Sequence, residues 1–291
     1  QAAGIAVRDR LSGKVFEVRA AKVVNCAGPW ARELAAQLDR DLPALFTPVL
    51  AFNLLLDRPP LSPVALGVAT RKPRAQTYFV VPWKGKVLAG TCYQAGPAPS
   101  GPSGEQIQSF VDELNEALPG LALGRGEVLA ARWGHLPAKR RGSLEPADHP
   151  VIHDHGAHGG SRGLVSVSGV KLTTARAVAE QTLTALYGEA LPAYTAAGKS
   201  RPPSRRPLPF AEIERLLVED RAAAAAHLLR LVRRESVIHL DDLLLRRTDW
   251  GGVAGERGAA LASQVGDLLA AAEALPGQEP EGPRMPAAAA L

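Results

Sequence analysis

Two stretches constrain this chain more than any others, because each runs a strand-like apolar segment straight through small residues into a helix. The first is Val23-Val24-Asn25-Cys26-Ala27-Gly28-Pro29-Trp30, with Pro29 at the permissive first turn of a helix. The second is Val165-Ser166-Val167-Ser168-Gly169-Val170-Lys171-Leu172-Thr173-Thr174-Ala175-Arg176. A glycine at a strand end lets backbone approach a ligand closely, and a helix that starts there offers unbonded N–H groups to an anion. In the first stretch this composition is common in turns that bind nothing. In the second, Lys171 and Arg176 sit where the helix dipole disfavours cations, which points to an anionic partner; Thr173 or Thr174 can cap the same helix.

The remaining pattern predicts α+β architecture followed by a small helical domain. Segments 4–9 and 15–20 read as a hairpin around a polar turn, 21–25 as a strand, and 28 to about 38 as a helix. Segment 48–57 is a long apolar strand, and 76–83 with 86–93 form a hairpin around Lys84-Gly85. A helix over 101–118 starts at Ser103 and stops at Pro119-Gly120. Strands follow at 127–133 and 163–167, then a helix over 173–187 that ends at Gly188. The Pro- and Arg-rich 199–209 reads as a linker, 210–234, 240–247 and 258–272 as helices, and 275–291 as a disordered tail.

Composition narrows the function classes. Hydrophobic residues are 46% and charged residues 22% of the 291, which suits a globular protein. The net charge of +5 is spread along the chain, and aromatics at 5% argue against single-strand stacking, so no nucleic-acid partner is expected. Cys26 and Cys92 make no disulfide framework and no metal set, which fits a reducing, cytoplasmic setting. No apolar run reaches the ~20 residues of a membrane span. His153 and His155, with His158 and His149 near, are expected on a polar surface strand and its loop rather than at a metal.

In order and spacing, four motifs resemble one family: Asn25-x-x-Gly28-Pro29-Trp30; Phe79-x-x-Pro82-Trp83 with Gly90-Thr91; Gly169-x-Lys171-Leu172-Thr173-Thr174-x-Arg176; and Asp241-Asp242 running to Arg246-Arg247-Thr248. This is the pattern of the FAD-dependent glycerol-3-phosphate dehydrogenases, relatives of D-amino-acid oxidase, and it spans about 4–251. The resemblance implies an FAD-binding domain from 1–40 and 125–190, a substrate-binding β-sheet domain over 41–124, a linker over 191–209, a helical domain over 210–272 and a tail from 273. It places Asn25, Ala27, Gly28, Gly169, Lys171, Leu172 and Thr173 along FAD. Lys171 and His135 become the catalytic candidates, and Asn53, Lys171, Thr174 and Arg176 the substrate contacts. A hydride would pass from a secondary alcohol to FAD and on to a quinone or other acceptor, with peripheral membrane contact as a further implication. A non-enzymatic remnant and an amine-oxidising relative are the alternative readings.

The chain departs from that family in two respects. No Gly-x-Gly-x-x-Gly occurs; the nearest string is Gly124-Arg125-Gly126. About a hundred or more residues are therefore expected in front, on ordinary domain size. The family's histidine in its Gly-Ser-His stretch is matched by Asn53, its Gly-x-Arg-Pro arginine by Leu136, and a second arginine by the region of Pro146. An amide cannot take a hydroxyl proton, and arginine is the natural fork for a phosphate.

The missing glycine fingerprint sets a first expectation. The purified 291-residue chain should leave gel filtration colourless, and a retained flavin spectrum near one flavin per chain would contradict it.

Overall fold

The computed structural model describes residues 1–38, 45–73, 75–96, 101–188, 210–235, 237–248 and 256–273. Strands β1 (Gly4–Arg8) and β2 (Val15–Arg19) pair antiparallel, with Asp9 accepting the Leu11 amide at 2.9 Å in the turn between them. Ile5 opposes Val18 and Val7 opposes Phe16, so one hairpin face is apolar. Next come β3 (Val23–Asn25), a 3-10 turn (Gly28–Trp30) and helix α1 (Ala31–Leu38).

The apolar strand β4 (Pro48–Leu56) needs partners on both edges, and it has them. It pairs antiparallel with β7 (Lys86–Ala95) on one edge and β8 (Val128–Pro137) on the other. Strands β5 (Leu66–Val68) and β6 (Tyr78–Trp83) extend the sheet to the order β5-β6-β7-β4-β8. Leu50, Phe52, Leu54 and Leu56 alternate onto one face, where helix α2 (Gly104–Ala117) lays Phe110, Val111 and Leu114 over them. Ser103 starts that helix with a reciprocal capping box: its hydroxyl accepts the Gln106 amide, and Gln106 accepts the Ser103 amide. Asn115 then fastens the following turn by bonding both the amide and the carbonyl of Leu123.

A second, three-stranded sheet has the order β3-β10-β9, built from β9 (Val151–Asp154) and β10 (Leu164–Ser168) around the earlier β3. Strand β10 leads through a 3-10 turn (Leu172–Thr174) into α3 (Ala175–Tyr187), which Gly188 ends with a positive φ of 56°. Residues 1–196 form one unit and 197–291 another.

In the second unit, α4 (Phe210–Glu219) and α5 (Arg221–Arg234) replace the single helix expected over 210–234. The break has a local cause: Asp220 leaves helical geometry and accepts the Ala223 amide at 2.9 Å, capping a new helix. The expected helix at 240–247 is a π-helical segment over Asp242–Arg247, held by Asp242 accepting the amides of Ile238 and His239. With α6 (Glu256–Glu273) these helices share a core of Leu217, Leu228, Val232, Leu243, Val265 and Leu269.

Another difference lies at the domain borders. The sheet expected within 41–124 takes its fifth strand from β8, because the central β4 would otherwise leave one edge unpaired. The expected linker at 199–209 and the tail at 275–291 lie outside the described residues.

Helix α2 and the sheet share their core through Phe110, which meets Phe52 edge-on at 5.6 Å and Tyr78 at 4.9 Å. Phe110→Ala should cost about 3–5 kcal/mol of stability in this unit. Denaturation followed by tryptophan fluorescence reads it, since Trp30, Trp83 and Trp133 all lie in the first unit. A loss under ~1 kcal/mol would deny that shared core.

Candidate functional site

The two strand-to-helix stretches, far apart in sequence, meet in space. Strands β3 and β10 run parallel with Asn25 opposite Ser166, so both loops emerge at the same carboxyl edge of the sheet. In α/β sheets that edge is where ligands settle. Ala27, Gly28, Gly169, Lys171, Leu172 and Thr173 are thereby gathered along one rim. At Gly28, whose φ is +58°, and at Gly169, no atom lies within 4 Å of where a Cβ would stand, so both backbones face open space. Leu172 is 93% exposed next to the exposed cation of Lys171, and Trp30 on the other loop is 65% exposed. Open backbone, apolar surface and a cation together fit a flat ring with an electron-rich edge.

Asn25 belongs to this rim by its position, but its side chain points inward. It is buried, donating to the Ala31 carbonyl and to Ser166 Oγ, each at 3.0 Å, while its Oδ1 accepts the Ala27 amide at 3.2 Å. Ser166 Oγ also lies 2.8 Å from His155 Nε2. The expectation that these histidines lie on a polar surface strand and its loop therefore fails at His155, which is fully buried. Sequence reasoning missed both Ser166 and His155. The available signal was an otherwise apolar strand, Leu164–Ser168, that buries two serines. His153 stacks on His158 at 4.4 Å and meets His155 edge-on at 4.8 Å. Among the described residues, no group of His, Cys, Asp and Glu is placed to hold a metal.

Two expected substrate contacts have local partners instead. The Thr174 hydroxyl donates to the Lys171 carbonyl at 2.8 Å, tightening the 3-10 turn, and makes no cap to α3. Arg176 pairs with Glu180 one helical turn on at 3.0 Å.

A second group forms on the five-stranded sheet. Register places Asn53 opposite Arg132, Ala51 opposite Gly134 and Val49 opposite Leu136, so these side chains share the face away from α2. Asn53 Oδ1 accepts the Thr91 hydroxyl at 3.1 Å. Gly90 stands directly across from Asn53, where a Cβ would come within 2.0 Å of that same oxygen. Arg132 is exposed and lies 5.9 Å over the Trp83 ring. The 3-10 turn at Gly28–Trp30 packs against β8, which joins the strand-end rim to this sheet.

His135 lies opposite Leu50, and pleating turns it to the other face from Asn53 and Leu136. Its ring meets Trp133 edge-on at 5.8 Å. Burial, and then the charge of Arg32, pull its pKa below the usual histidine value. Both effects favour the neutral form of the His135 ring.

The sequence profile of the FAD dependent oxidoreductase family matches residues 1–185. A glycerol-3-phosphate dehydrogenase of Synechocystis is 28% identical over 232 residues, covering 73% of this chain and 40% of that protein. The mitochondrial glycerol-3-phosphate dehydrogenase of Schizosaccharomyces pombe is 30% identical over 217 residues, covering 65% of this chain and 33% of that protein. Among solved structures, the glycerol-3-phosphate dehydrogenase from Bacillus halodurans complexed with FAD superposes with a TM-score of 0.50 at 27% identity, over 63% of this chain and 35% of that one. The chain spans well under half the length of the curated relatives it matches.

The lowered pKa of His135 has a consequence for stability. Because the folded value lies below the unfolded one near 6.5, the unfolded chain takes up its proton first as pH falls. The contribution is present above pH 6.5 and is lost as pH drops through the folded value. His227 is lowered too, by burial and Arg230, and acts in the same direction in the second unit. His135→Gln should flatten the decline of melting temperature between pH 7 and 5 for the first unit, and an unchanged slope would remove this account.

Proposed function

We propose that this chain, which belongs to the FAD dependent oxidoreductase family, carries the flavin-facing rim and the substrate-facing sheet of an enzyme that oxidises an alcohol or a related C–H donor. One observation supports this above the rest. The two motif-bearing loops leave the carboxyl ends of neighbouring parallel strands, and the first of them packs against β8, whose pleat also carries Leu136 and Arg132.

The residues present fit the flavin end of the cofactor. Backbone at Ala27, Gly28 and Gly169 would hold its edges, and Leu172 and Thr173 would lie against the ring. Lys171 would place a cation where the reduced ring carries negative charge, which favours reduction. When bound, FAD supplies the hydride acceptor. No residue here corresponds to the glycine-rich turn that cradles a dinucleotide pyrophosphate.

On the substrate side the chain's own residues favour a donor other than glycerol 3-phosphate. Asn53, with Oδ1 held by Thr91, can orient a donor oxygen but cannot take its proton. Leu136 offers no phosphate fork, while Arg132, two pleats along on the same face, offers one cation. His135 is a neutral imidazole, and as a base it would serve only a donor that reaches the Trp133 side of β8. The second unit, with its acidic-then-Arg-Arg-Thr segment, corresponds in this reading to the family's C-terminal helical domain. Electrons leaving the flavin pass to a quinone or other acceptor. No described helix is long and apolar enough to cross a membrane.

Anaerobic mixing of the protein expressed from its complete reading frame with glycerol 3-phosphate, glycerol, larger hydroxy acids and amines tests this reading by flavin bleaching. Losing two charge-assisted bonds should weaken phosphate binding by about two to four powers of ten. Rapid bleaching by sub-millimolar glycerol 3-phosphate would defeat the diverged-substrate claim. Bleaching by amines alone would shift the reaction to C–N oxidation. Asn53→Ala and His135→Gln then locate the donor, since only the variant on its face of β8 slows bleaching.

A further inference from the structure

Behind the rim lies a polar chain that no cofactor or substrate contact requires. Asn25, Ser166 and His155 are 4%, 0% and 0% exposed, in the middle of an apolar sheet. Unbonded polar groups there would be costly, so their bonding is informative. Asn25 has two N–H groups and one oxygen, and all are used: Ala31 O and Ser166 Oγ accept from Nδ2, and Oδ1 accepts from the Ala27 amide. Those backbone partners stand at the two ends of the segment 27–31, the turn that enters α1. Asn25 thus clamps the turn from beneath and has no donor left for a ligand. With its oxygen receiving from Asn25, the Ser166 hydroxyl proton is free to point at His155 Nε2, 2.8 Å away. In that direction of the bond the His155 ring carries its proton on Nδ1.

We propose that Ser166 and His155 are positioning residues, which through Asn25 hold the 27–31 turn in the shape that presents Ala27 and Gly28 to the cofactor. The inference rests on the flavin-facing reading of that turn. It changes the role of Asn25 from a contact to a joint. It also gives β9 a part in the site, because β9 delivers His155 to the strand that carries Ser166: Asp154 pairs with Val165 and His153 with Ser166. A packing role alone would not select a hydroxyl at 166, since apolar side chains fill an interior strand equally well.

Amide hydrogen exchange tests the relay without any cofactor. In Ser166→Ala, exchange over 26–31 should rise about tenfold while strand β10 and helix α3 stay within about twofold of wild type. Ser166→Thr, which keeps the hydroxyl, should restore protection, and His155→Phe, which keeps the ring volume, should raise exchange over 26–31 in the same direction. An unchanged 26–31 segment in Ser166→Ala, or an equal rise across the whole first unit with a lowered melting temperature, would overturn the relay. The complete protein is then titrated with FAD by fluorescence. Ser166→Ala should weaken binding by about tenfold, the factor set by one buried hydrogen bond, and Ser166→Thr should not. Equal FAD affinity in wild type and Ser166→Ala would overturn the positioning role. If the wild type binds no FAD at all, the flavin reading falls, and the exchange result still decides the relay by itself.

Discussion

The pairing of β3 with β10 organises the first unit, because it joins segments 141 residues apart through a buried bond between Asn25 and Ser166. Closing so long a loop costs entropy that only later contacts recover. Most of the intervening chain forms a sheet of its own. Strands β6 and β7 form a hairpin, and β4 pairs with β7 and β8 around α2. The five-stranded sheet is therefore an insertion between two strands of a smaller sheet, and its completion brings the ends of β3 and β10 within reach. Once they pair, α1 and α3 leave the same edge, and the rim exists as a consequence.

Much of this order is written locally. The β1–β2 hairpin, the Ser103 capping box and the alternation of Leu50, Phe52, Leu54 and Leu56 depend on near neighbours or on simple periodicity, so they are legible without the fold. The split between α4 and α5 is not legible, since Ala- and Leu-rich sequence lies on both sides of Asp220 and a single aspartate can face solvent as easily as cap. The reach of β8 past Trp133 to Pro137 depends on pairing with Pro48 and Val49, a tertiary fact. The loops flanking Gly28 and Gly169 are visible as motifs, but their meeting is not. The burial of His155 is hidden for the same reason: a His-Asp-His string in a glycine-rich region looks solvated until its partner strand is known.

The sheet face shows how pleating separates candidates that adjacency in sequence joins. His135 and Leu136 are neighbours in the chain, yet one turns toward Trp133 and the other toward the Asn53 side. Asn53 is itself shaped by Gly90, the residue whose missing side chain makes room for its amide oxygen. The amide so placed accepts from Thr91, which fixes its oxygen inward and leaves its N–H groups as the reactive end. A hydrogen-bond donor there can steady an oxygen that carries partial negative charge, but it cannot remove a proton.

A site with an orienting amide on one face and a neutral imidazole on the other cannot use both on one donor atom, because a β-strand separates them. Alcohol oxidation by hydride transfer needs the hydroxyl proton to leave as the C–H bond breaks, so it needs a base within hydrogen-bond reach of that oxygen. Amine oxidation is less demanding, since a neutral amine brings its own lone pair to the carbon that loses hydride. The Asn53 face, with a donor amide, an exposed Arg132 and an apolar Leu136, meets the second requirement more easily than the first. The His135 side meets the first, at the cost of Asn53 having no part in it. In the proposed reading, the bond that is oxidised therefore turns on which side of β8 faces the rim that Asn25 and Ser166 hold in place.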